Sequence, residues 1–124
     1  MLDWKIEVVP IPVTDVDRAK AFYVDQVGFV ADHDQQVDEN LRFVQLTPPG
    51  SACSIVLGTG LTEMPPGSQQ GVMIVVPNAD DALKHLTDHG VTARGVEEME
   101  WGRFVYFADP DGNEWSLQEL PNYS

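Results

Sequence analysis

A chain of 124 residues with 43% hydrophobic side chains has the length of one domain, residues 1–124, and enough apolar material for a core. Its 20 Asp and Glu against 7 Lys and Arg give a formal charge of -13, a field that repels phosphate backbones and anionic lipid and argues against nucleic acid as a partner. No apolar run approaches the roughly 18 residues of a membrane span, and the single cysteine, Cys53, excludes a disulfide or redox pair within one chain. The opening "MLDWKIEVV" lacks the basic-then-apolar order of a secretory leader, so no membrane association and a cytoplasmic location are expected.

Residues 5–11 are short, apolar and β-branched, and Pro10 and Pro12 point to a first strand that ends there or lies at an edge. From Asp15 the spacing becomes helical: Val16, Ala19, Phe22 and Tyr23 share a stripe, Thr14 or Asp15 can cap it, and Gly28 stops it. Residues 29–37, 40–47 and 52–57 read as three further strands, with Pro48, Pro49 and Gly50 among the separators. The segment "GTGLTEMPPGSQQG", residues 58–71, has no apolar period and reads as a crossing connection. Beyond it the order restarts. A strand over 72–76 leads to a helix capped by Asn78, with Ala79, Ala82, Leu83 and Leu86 as its buried stripe and Gly90 as its end. Strands are expected over 91–96, 103–108 and 114–120.

The two series are one unit used twice. "VTDVDRAKAFYVDQVGF" aligns with "VPNADDALKHLTDHGV", and "RFVQL" at 42–46 with "RFVYF" at 103–107, giving βαβββ modules at approximately 4–60 and 70–121 in an α+β fold. Along the late strands Phe104, Tyr106 and Ala108 oppose Arg103, Val105 and Phe107, as in a sheet with one face under a helix and the other open to a space. The stretch "FADPDGNEWSLQE", residues 107–119, alternates Asp109, Asp111 and Asn113 like a calcium loop, but Gly112 stands fourth rather than sixth and no twelfth-position Glu follows. It reads as a turn between strands, fixed by Pro110 and relaxed by Gly112.

The repeat, with "DRAKAFYVDQVGF" and the terminal "FADPDGNEWSLQE", resembles the vicinal oxygen chelate superfamily of glyoxalases, bleomycin-resistance proteins and ring-cleaving dioxygenases, over essentially the whole chain. The resemblance implies a glyoxalase-like fold in which two half-barrels surround a cavity, and a homodimer. Metal enzymes of that family carry ligands on the first and last strand of each module. Here those positions fall on Val8, Gly71, Ile55 or Val56, and Ser116, a set that cannot replace the water around a divalent ion. Glu114 and Glu119 do not restore it, since Glu119 points away from Ser116 and the first strands bring no His or carboxylate; Glu7 faces away as well. No metal and no cofactor are therefore expected, and the usual Lewis-acid mechanisms lose their centre.

Ligand-binding candidates are the polar strand residues Gln45, Ser54, Tyr106, Ser116 and Gln118, together with Trp101 in the loop before a late strand. Trp4, Phe43, Trp101, Phe104 and Trp115 could supply flat apolar walls for a ligand, although such residues more often close a core or a dimer seam. Arg42 and Arg103, at matching places in the repeat, are expected to pair with the acidic surface, Cys53 to be a buried structural thiol, and His85 and His89 to serve the second helix. Two functions stay open. One is metal-independent binding of a small organic molecule, cationic or aromatic, in a dimer cavity; the other is a lyase or isomerase using nonstandard groups such as Glu114 and Tyr106, with catalytic residues unknown.

Overall fold

The computed structural model describes residues 2–121. Eight strands and two helices follow the doubled order: β1 Val8–Pro10, α1 Val16–Ala21, β2 Val30–Asp38, β3 Leu41–Thr47 and β4 Ser54–Thr59, then β5 Val72–Val75, α2 Ala79–Asp88, β6 Ala93–Met99, β7 Gly102–Ala108 and β8 Glu114–Glu119. They form two four-stranded sheets of the same order, β1-β4-β3-β2 and β5-β8-β7-β6, in which the first strand of each module runs parallel to its last. Neither sheet closes into a barrel. No helix among the described residues is long and apolar enough to cross a membrane.

Local chemistry sets the boundaries. Asp15 caps α1 by accepting from the Arg18 backbone N–H. The helix then widens into a π-helical turn, Phe22–Val27, and Gly28, at a left-handed φ of 105°, donates to the Tyr23 carbonyl at 2.9 Å. Asn78 caps α2 as expected. The strand expected over 91–96 starts later, at Ala93, because residues 90 and 91 belong to the helix end: Gly90 N–H bonds to Thr87 O and Val91 N–H to Leu86 O, a Schellman closure that buries Val91. The first strand is likewise shorter than expected, since residues 2–7 run past the end of β4 and pair little; Ser54 N–H reaches back only to Glu7 O.

One apolar cluster serves both modules. Ile11, Val44, Leu46, Ile55 and Leu57 from the first sheet join Val105, Phe107, Trp115 and Leu117 from the second, with Ala19, Tyr23 and Leu86 from the helical segments. Tyr23 stacks on Phe29 at 5.6 Å and meets Trp115 edge-on at 5.8 Å, so an aromatic from the first module sits in the second module's core.

The turn at 109–113 locks this seam. Trp115 Nε1 donates to Tyr23 Oη at 2.9 Å, and Tyr23 Oη donates to Asp109 Oδ2 at 2.7 Å. Asn113 Nδ2 donates to the same carboxylate oxygen at 2.7 Å and to Pro12 O at 2.8 Å, while Asn113 Oδ1 accepts from Gln69 N at 3.0 Å. Burial first, and the Asp109 charge second, hold the Tyr23 phenol far above its ordinary range, so it stays a neutral donor. The connection is tied to the same place: Gly67 N–H bonds to Pro12 O at 3.1 Å, and a Cβ on Gly67 would lie 2.1 Å from the Asp111 carbonyl. The stretch read as a simple turn is thus also the polar clasp between modules.

Candidate ligand-binding site

Strand alternation gives each sheet a core face and an open face. In the second sheet Val105, Phe107, Trp115 and Leu117 point into the core, so Phe104, Tyr106, Ser116 and Gln118 take the other side. Tyr106 pairs with Ser116 on one flank and with Arg94 on the other. The Arg94 guanidinium lies 4.6 Å from the Tyr106 ring centroid, and Phe104 lies nearly parallel to Tyr106 with centroids 6.2 Å apart. Gly71, Arg94, Tyr106, Ala108, Glu114 and Ser116 line an open aromatic pocket of about 440 Å³, within the usual range for small organic ligands.

The first sheet differs. Gln45 Nε2 donates to Ser54 Oγ at 3.3 Å, Ser54 Oγ lies 2.6 Å from Thr47 Oγ1, and Thr47 Oγ1 donates to Asp32. These groups satisfy one another, and Ser54 is buried.

The shared register makes positions comparable. Gln45 opposes Val56 as Tyr106 opposes Ser116, so Val56 rather than Ile55 matches Ser116. Val9 pairs with Ile55 as Val72 pairs with Trp115, which makes Val8 and Gly71 equivalent. Ile55 faces the core. The four family positions are therefore Val8, Val56, Gly71 and Ser116, with one hydroxyl among them. Among the described residues no group of three or more His, Cys, Asp or Glu converges as a metal site. This donor set does not fit a divalent ion.

The six sequence candidates divide into three places. Gln45 and Ser54 meet in the first sheet, Tyr106 and Ser116 meet in the pocket, and Gln118 donates to the Trp101 carbonyl at 2.8 Å, outside the pocket lining. Trp101 is 57% exposed. Trp115, considered for an apolar wall, is a core residue because its indole fills the seam behind the sheet. Arg42 bonds to Asp34 and Asp17, and Arg103 to Asp80, Glu98 and Glu119, as expected. Glu119 also accepts from Ala79 N–H, so it is a structural group. His85 Nε2 contacts Val27 O at 2.8 Å and His89 Nδ1 contacts His85 O at 2.7 Å, both at the helix surface. Cys53 is half-buried rather than buried, because it lies in the loop before β4 and its thiol reaches only Ser54 O. Arg94 escaped sequence reading. Its only trace is its place as an arginine in a strand of a strongly acidic chain, and the ring beneath it is visible only once β6 and β7 pair.

A family model described as the Glyoxalase/Bleomycin resistance protein/Dioxygenase superfamily matches residues 5–117. TnmS3, an antibiotic binding protein from Streptomyces sp. CB03234, superposes with a TM-score of 0.89 at 35% identity, over 98% of this chain and 99% of that one. A member of the same superfamily from Sphaerobacter thermophilus DSM 20745 gives 0.84 at 37% identity, covering 94% and 97%. An uncharacterized protein of Bacillus subtilis (strain 168), YetH, is 30% identical over 119 residues, 93% of this chain and 98% of its own.

Proposed function

Because the chain belongs to the Glyoxalase/Bleomycin resistance protein/Dioxygenase superfamily, we propose that it holds a small aromatic molecule on the open face of its second sheet without using a metal. The observation that carries this reading is the pocket at 71, 94, 106, 114 and 116. There the side chains of Arg94, Tyr106, Glu114 and Ser116 have no hydrogen-bond partner among the described residues, and the Tyr106 ring lies beneath the Arg94 guanidinium. Free donors and acceptors over an apolar floor are what a ligand pocket offers. The likeness to an antibiotic binding protein supports binding over turnover. The charge of -13 supports a basic group on the ligand as the alternative chemistry.

In this reading the two sheets act as half-barrels, and a second copy of the chain completes the cavity in the cytoplasm. Leu2, Trp4 and Ile6, on the segment before β1, are all at least 70% exposed, and Met73 and Val75 on β5 are at least half exposed. Exposed apolar side chains on the segment before β1 and on β5 support a homodimer. Sedimentation equilibrium at micromolar concentration tests it, and a monomer there removes the dimer from the proposal.

Binding is tested by calorimetry against a panel of fused-ring aromatics, with mass spectrometry of the ligand after prolonged incubation. Saturable binding, unchanged ligand and indifference to EDTA are expected. Chemical conversion of the ligand, abolished by Glu114→Gln or Tyr106→Phe, would instead favour a lyase or isomerase using those two groups.

A further inference from the structure

Arg94 stands apart from the other six cations of the chain. Lys5, Arg18, Lys20, Arg42, Lys84 and Arg103 each lie within 4.0 Å of a carboxylate. Among the described residues the Arg94 side chain has neither an ion pair nor a hydrogen bond, although acidic groups outnumber basic ones by 20 to 7. A guanidinium seated over a ring keeps its in-plane N–H groups available, and that edge matches the two oxygens of a carboxylate. Among the described residues, the one lysine or arginine without a carboxylate within 4.0 Å is thus the one that lines the aromatic pocket.

We infer that this pocket selects a planar aromatic ligand bearing a carboxylate, with the ring on the Tyr106 side and the acid at the Arg94 edge. This rests on the binding reading above and names its ligand class. It runs against the chain's net charge, and the distances decide between the two. The field of the acidic surface is screened over a Debye length of about 8 Å at physiological ionic strength, whereas a bound acid would touch the guanidinium. Glu114 lines the same pocket and repels a second acidic group, which restricts the class to one carboxylate.

The test uses three molecules with one ring system: 2-naphthoate, 2-naphthylmethanol and 2-naphthylmethylammonium. Each is titrated by calorimetry into the full chain and into Arg94→Gln, with backbone NMR shifts to locate binding. The exposed site predicts 2-naphthoate binding about fivefold more tightly than the alcohol. Arg94→Gln should remove that preference, so that within the variant the acid and the alcohol bind with equal affinity. Equal affinities, a preference for the ammonium, or an acid preference that survives Arg94→Gln overturns the ligand class but leaves the pocket reading standing, provided the shifts lie at Gly71, Ala108 and Ser116. Failure of all three to perturb those residues overturns both.

Discussion

On the open face of the first sheet, Gln45, Ser54 and Thr47 pass hydrogen bonds along to Asp32; at the matching places of the second sheet stand Tyr106, Glu114 and Ala108. The backbone register is the same, but a methyl in place of the Thr47 hydroxyl leaves no relay, and Glu114 and Tyr106 keep their polar atoms free. Small differences in side chain thus divide the labour of a duplicated scaffold. One copy spends its polar groups on itself, while the other retains them for a ligand in the proposed binding role. The two copies remain joined behind these faces by the clasp of Tyr23, Asp109 and Asn113.

Breaking the clasp removes the frame on which the comparison rests, and it carries the largest expected effect. Asp109→Ala strands the donors of Tyr23 and Asn113 and should cost about 3 kcal/mol in urea unfolding. Gly67→Ala, pressed against the Asp111 carbonyl at a φ of 79°, should cost about 2 kcal/mol in the same measurement. The paired substitutions Ser54→Ala and Ser116→Ala sharpen the contrast between faces. The first, which breaks the relay, should destabilise by about 1 kcal/mol, while the second should stay within about 0.5 kcal/mol and act on ligand affinity instead. A reversed order of stabilities would sink the division of labour.

The smallest effect concerns pH and belongs to the first module. Hydrogen bonds from Arg42, then Lys20, hold the Asp34 carboxyl well below its ordinary range. A depressed carboxyl adds stability that is fully present above the unfolded value, about 3.9, and lost as pH falls toward the folded one. The pair is partly exposed, so the contribution is about 0.5 kcal/mol. Thermal melts of wild type and Asp34→Asn should differ at pH 7, and the gap should start to narrow only below about pH 3.9 and keep narrowing as the pH falls further. An unchanged gap would disprove the assignment.

The repeat, the caps at Asp15 and Asn78 and the pairing of Arg42 and Arg103 were legible because each depends on local spacing or composition. Ser116 was legible as a departure from a family pattern. The clasp was not: Tyr23 sits on a helical stripe like any core residue, and Asp109 and Asn113 look like ordinary turn formers. A buried phenol does require a partner, and that demand was the available signal. Its partner lies 86 residues away, which only the packed seam supplies. Arg94 stayed hidden for a related reason. Its significance comes from what every other cation is doing, a property of the whole surface rather than of a motif.

The seam also gives the molecule an optical property. Of its three tryptophans, Trp115 is 2% exposed, whereas Trp4 and Trp101 are 84% and 57% exposed. The blue-shifted part of the emission is therefore expected from Trp115, next to the Tyr23 hydroxyl, and the red-shifted part from Trp101, joined by Trp4 where no second copy covers it. Iodide should quench the red component first. Loss of the blue component reports separation of the two modules, so a single spectrum can follow the seam without any added label.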